Sequence, residues 1–321
     1  MARLHPTTPA AALATLALLA LAGCQPAAPS ATPVTPASAT ATPSPSTTLP
    51  ARDLTRPGEA LRMLDSLLEA AGSGQLIMVE LTAETASISV LPSGSTEPVT
   101  WAYRDGRTEE VASDLQYVDQ ASFTLDGFDV SDLGRLFRVA SAISGSTHKQ
   151  TLQIVDYSGG RVVMAVTTNP ESRTVFFNPD GSLLPDLDYH SLRGITEGLD
   201  AVVEDRVTVQ AVGIESAAGA WVDYADSATT TTRRQRPAKV PVTTLVRDEA
   251  LSLPPFAAAR VRPDAVWRVL QRTIQADRLD ADVEWSVTVD DRADAGAPRM
   301  YFTIGTTSLV TDLAGTEVTP T

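Results

Sequence analysis

The sequence predicts an α+β protein of two repeated domains, each with two helices packed on one face of an antiparallel sheet. Three observations predict it. Four short stretches carry apolar residues at helical spacing, each is followed by alternating strand-like runs, and one offset carries the first half of this pattern onto the second.

The chain opens on a leader. Residues 1–9 hold Arg3 and no acid, and residues 10–23 are Ala, Leu, one Thr and a closing Gly. This run is the length of a signal-peptide core and shorter than the roughly 20 apolar residues of a spanning helix. It ends in Leu21, Ala22, Gly23 and Cys24, the only cysteine of 321 residues. No disulfide can therefore form within the chain, and stability must come from burial. The quartet resembles the lipobox of bacterial lipoproteins. That resemblance implies a signal peptide over 1–23, cleavage before Cys24, and fatty acyl chains (diacylglyceryl, palmitate-like) on that residue. The protein would then be anchored to the cell membrane and face outside the cytoplasm, without spanning the bilayer. The other reading is an ordinary secretory leader with a cysteine near its cleavage site.

Residues 24–57 are almost wholly Ala, Pro, Ser and Thr, with no charge before Arg52. So little apolar surface cannot offset the entropy of ordering, which predicts a disordered tether after the lipidated cysteine. As a coil it would reach on the order of 30 Å, well beyond the Debye length of about 8 Å. An acidic body of net charge -14 would thus stand clear of an anionic bilayer. The same acidity argues against a nucleic-acid partner, which needs a basic face.

The first helix is predicted over 59–71, on Leu61, Leu64, Leu68 and Ala71, and the second over 131–143, on Leu133, Leu136, Phe137, Ala140 and Ile143. The third spans 191–202 and the fourth 263–275. Three strands follow each helix in this reading: 75–81, 87–91 and 99–107; 151–157, 161–166 and 174–182; 207–214, 219–224 and 242–250; 282–290, 299–304 and 308–316. Glu59 to Ser191, Ser131 to Pro263 and Asp180 to Asp312 are each 132 positions apart, whereas Asp105 to Asp248 is 143. The surplus reads as an insertion at 226–239. Domain 1 is accordingly placed at 58–186 and domain 2 at 187–321, each built from two αβββ half-units. Alternation such as Trp285, Val287 and Val289 against Ser286 and Thr288 predicts a sheet with helices on one face and water on the other.

The order αβββ with a closing Asp-Gly turn, at Asp105-Gly106 and Asp180-Gly181, resembles PepSY-like modules, and the tandem pairing resembles β-lactamase-inhibitor proteins. The second copy departs from the pattern at Asp248-Glu249. The resemblance implies a fold that binds other proteins.

No catalytic motif emerges, so the chain is not expected to be an enzyme. The stretch 185–191 gathers Asp186, Asp188, His190 and Ser191, yet triads are assembled from separated segments, and Ser191 is placed to cap the third helix. His148 and His190 lack metal-ligand spacing, and the aspartates at 126, 129 and 132 and at 290, 291 and 294 lack a calcium-loop pattern, so no metal and no cofactor is expected. The distinctive polar feature is the inserted stretch, with Arg233, Arg234, Arg236 and Lys239 close to Trp221. Strand parity turns Val222 and Tyr224 inward and leaves Trp221 on the watery face, so these five residues form the candidate partner-binding site. A solvated hairpin tip is the plainer reading. The functional expectation is a membrane-anchored, non-catalytic binding protein for a protein or cell-wall partner. The alternative is a carrier of lipid or another apolar ligand between sheet and helices.

Overall fold

The computed structural model describes residues 52–112, 115–116, 120–171 and 173–319. Four helices lie close to where the apolar spacing puts them: α1 (Glu59–Ala71), α2 (Leu133–Ser144), α3 (Leu192–Val203) and α4 (Pro263–Asp277). Each boundary has a local cause. Asp132 and Ser191 accept hydrogen bonds from the backbone N–H groups of Arg135 and Gly194, Pro263 opens α4, and Gly72 and Gly145 close α1 and α2 at positive φ.

Two seven-stranded antiparallel sheets carry these helices. The first comprises β1 (Gly74–Leu81), β2 (Ala86–Pro92), β3 (Val99–Arg104), β4 (Arg107–Val111), β5 (Thr151–Ser158), β6 (Arg161–Thr167) and β7 (Val175–Phe177), in the order β4-β3-β2-β1-β5-β6-β7. In the second half, β8 (Thr208–Val209) pairs only with β13 (Phe256–Ala257). The second large sheet comprises β9 (Ala211–Glu215), β10 (Gly219–Ala225), β11 (Thr231–Arg236), β12 (Thr243–Arg247), β14 (Trp285–Asp290), β15 (Arg299–Ile304) and β16 (Thr307–Thr311). Its order, β12-β11-β10-β9-β14-β15-β16, repeats that of the first. In both, a four-stranded meander and a three-stranded one join along their first strands.

The count of three strands after every helix therefore fails for α1 and α3, each of which precedes four strands of its sheet. The missed strands are β4, RTEEV, and β11, TTRRQR. Neither alternates apolar and polar residues, so neither carries the signal by which strands are recognised. The supposed insertion is in fact β11 and the turn before it, where the Asp226 N–H donates to the Thr230 carbonyl at 3.1 Å. β11 begins at residue 231, 132 positions after the start of β3 at 99. The discrepant spacing came from matching Asp105, which turns β3 into β4, to Asp248, which follows β12.

Each sheet buries one face under its helices. Leu64 and Leu67 of α1 and Leu133 and Leu136 of α2 meet Val79, Ile88 and Ile154, and Ile195, Val202, Val266 and Leu270 meet Val212, Val222 and Val287. Fully burying one such side chain contributes roughly 1.5–3 kcal/mol. Leu54, assigned to the tether, is fully buried in the first core, and its N–H donates to the Ala83 carbonyl at 2.8 Å. The ordered body thus begins ahead of residue 58. Val207, which opens the predicted strand 207–214, is 77% exposed.

The far face of the first sheet is not all water. Val163, Ala165 and Phe176 pack with Leu184 and Val240, and Ser158 exchanges hydrogen bonds with the backbone of Thr244 at 2.9 and 3.2 Å. These contacts join the two sheets. At the opposite border, β4 exposes Arg107, Glu109 and Glu110.

Candidate functional site

The residues singled out around Trp221 divide between the two faces of the second sheet. Parity along β10 puts Trp221 and Asp223 on the face away from the helices, across from Gln235 and Arg233 of β11. Trp221 lies over Gly213 of β9, where a Cβ would collide with the indole. Its Nε1 donates to the Glu215 carboxylate at 3.0 Å, and the Arg233 guanidinium stacks 3.8 Å above the ring centre. Arg233 also makes a two-bond fork to Asp223, both at 2.7 Å, and Arg247 of β12 approaches the same carboxylate at 3.2 Å. The Asp223 side chain is only 4% exposed. The Asp223 fork raises the pKa of Arg233.

Arg234 and Arg236 point the other way, opposite Val222 and Ala220. Arg234 is 6% exposed at its side chain and ion-pairs with Glu204, at the end of α3, at 2.6 Å. Arg236 donates to the carbonyls of Pro185, Pro237 and Val240, and its own carbonyl accepts from the Tyr189 hydroxyl. Burial pulls the Arg236 pKa down. Lys239 alone is exposed, in the turn after β11. The exposed arginine loop expected beside Trp221 is thus overturned: its arginines are internal strand residues spent on Trp221, Asp223, Glu204 and backbone carbonyls, and Trp221 is buried beneath one of them. Cys24 lies outside the described residues.

Farther across the same open face is a groove of about 530 Å³, floored by Ser286, Thr288, Tyr301, Thr303, Ser308 and Val310. Arg292 forms its wall, stacking 4.3 Å from the Tyr301 ring centre and forking to Asp290 at 2.8 and 2.6 Å. The Tyr301 hydroxyl is buried with no hydrogen-bond partner among the described residues, and burial, followed by the charge of Asp290, raises its pKa. An unmet phenol beside four aliphatic hydroxyls suits a ligand rich in hydrogen-bonding groups. Sequence alternation exposed these positions without marking them, because the groove also needs the C-terminal segment, including Glu317 and Val318, which turns back to pair beside β16.

In the 185–191 stretch, the Ser191 hydroxyl donates to the Asp188 carbonyl at 2.7 Å and accepts from the Gly194 N–H at 3.0 Å, which commits it to capping α3. His190 Nε2 lies 3.3 Å from the Val283 carbonyl, and Asp186 pairs with Arg173. Asp129, Asp132 and Asp291 accept from backbone N–H groups of their own turns. Among the described residues no cluster of His, Cys, Asp or Glu could hold a metal ion.

No protein-family model matches the chain, and no curated protein matches it. Among solved structures it is similar at 12% identity to the H. pylori beta clamp in complex with 5-chloroisatin, with a TM-score of 0.12. That match covers 77% of this chain, which spans 60% of the clamp's length.

Proposed function

We propose that this chain is a lipid-anchored, non-catalytic binding protein of the cell envelope, held by acylated Cys24 and engaging a protein or cell-wall partner through the open face of its second sheet. The observation that carries the anchor is the Leu-Ala-Gly-Cys quartet closing a 14-residue apolar run. Support for the binding face comes from the hydroxyl-lined groove and the unmet Tyr301 phenol. The two halves are read as copies of one domain, the first reaching from Leu54 to 186 and the second over 187–321, each grown from αβββ half-units of PepSY-like type with a fourth strand added to the first. The shared strand order supports that duplication.

Cosedimentation with the host's isolated cell-wall fraction, washed free of lipid, tests the face, using full-length chains carrying Cys24→Ala to remove the acyl chains. Thr303→Arg, which fills the groove, is expected to abolish pelleting, and unchanged pelleting would overturn the assignment. Intact mass of the membrane fraction tests the anchor: acylated protein is expected, lost with Cys24→Ala.

A second reading, carriage of an apolar ligand, has one observation in its favour. A largely apolar depression of about 440 Å³ lies where α3 ends, lined by Leu199, Val203, Val207, Val212 and Val261. Lipid retained by gently purified protein in native mass spectrometry would favour it.

A further inference from the structure

Where the two sheets meet, the β5–β6 hairpin, the end of α3 and strands β10 to β12 enclose a cleft of about 360 Å³. Three arginines from three different elements line it: Arg161 at the start of β6, Arg206 after α3, and Arg234 on β11. One carboxylate answers them. Glu204 bonds Arg161 at 3.0 Å and Arg234 at 2.6 Å, while Arg206 sits 4.2 Å over the Tyr224 ring with no carboxylate partner among the described residues. Asp205, next in sequence, lines the neighbouring depression instead. The lining therefore carries two uncompensated positive charges in a protein whose net charge is -14. Glu204 itself holds φ 53° and ψ -116°, a conformation that non-glycine residues seldom adopt and that persists only where surrounding contacts impose it.

We propose that this cleft binds a phosphate monoester through Arg161, Arg206 and Arg234. Charge decides the class. A phosphate monoester carries about -1.5 to -2 at neutral pH and neutralises the surplus, whereas a single carboxylate leaves part of it unanswered. Guanidinium forks also match phosphate oxygens in pairs. The volume exceeds a bare phosphate and leaves room for the group it esterifies. The site does not depend on the anchor or on the groove of the second sheet.

Calorimetric titration of the full-length Cys24→Ala chain with inorganic phosphate and with glycerol 3-phosphate tests the proposal, with acetate as the control. Both phosphates are expected to bind and acetate is not. Arg206→Gln, on an exposed loop, is expected to weaken binding about tenfold, the loss of one charged hydrogen-bond donor set. Glu204→Gln is expected to tighten it by a similar factor, because it frees two guanidiniums. That gain would not arise if the cluster were merely a structural ion pair. Flotation with phosphatidate against phosphatidylcholine vesicles separates a lipid headgroup from a soluble ester, and binding of either kind supports the site. Absence of phosphate binding by every probe, or affinity indifferent to both substitutions in folded protein, would overturn it.

Discussion

At Gly213 the second sheet has space for a hydrogen and little more, because the indole of Trp221 occupies the position a side chain would take. Gly213→Ala is therefore expected to push Trp221 away from Arg233 and Glu215, costing about 1–3 kcal/mol as overpacking does. Urea unfolding followed by tryptophan fluorescence would register both the loss and a shifted emission maximum. Parity alone placed Trp221 on the face away from the helices. It could not reveal that Arg233 covers the ring, since a stacking partner is set by cross-strand register, and β11 carried no alternation to betray it. Glu204 gives a second expectation at this scale. The hydrogen bond from Arg234, with the charges of Arg234 and Arg161, holds its pKa below the ordinary 4.5. Its contribution to stability is then complete above 4.5 and is lost as pH falls through the lower folded value. Melting temperatures of wild type and Glu204→Gln should differ at neutral pH and converge as acid titrates the lowered carboxylate. A constant gap would contradict the ion pairs.

Among elements, helices were the most legible, because an apolar stripe at a period of 3.6, joined in α2 and α3 by a capping Asp or Ser, specifies them from nearby residues alone. Strands such as β14 were legible for the same reason: Trp285, Val287 and Val289 are buried while Ser286 and Thr288 are not. β11 was illegible because six polar residues, TTRRQR, fill a strand between two others. It is held by backbone pairing on both sides and by arginines that find carboxylates and carbonyls after folding. Hydrogen exchange discriminates the strand from the loop the sequence suggested. Amides of Thr232–Arg236 are expected to exchange orders of magnitude more slowly than those of Ser227–Thr230, and uniformly fast exchange across 227–236 would refute the pairing. Val207 is the reverse case, an apolar residue in a strand-like run that ends outside the core because β8 leaves the main sheet to pair with β13.

For the whole molecule, the repeated strand order was legible through a spacing of 132 that recurred between helix starts and between Asp180 and Asp312. The junction was not. Phe176 and Val240 are far apart in sequence, and only the meeting of the two sheets makes them neighbours. The proposed phosphate cleft belongs to that junction, since Arg161 is contributed by one half and Arg206 and Arg234 by the other. The outermost strand of the first sheet has a bearing on life in a crowd. With Arg107, Glu109 and Glu110 bristling from β4, a second copy that tried to zip its own backbone alongside would have to strip water from a row of charged side chains before a ladder could form. Copies confined side by side would stay separate individuals, each with the outer face of its second sheet still free.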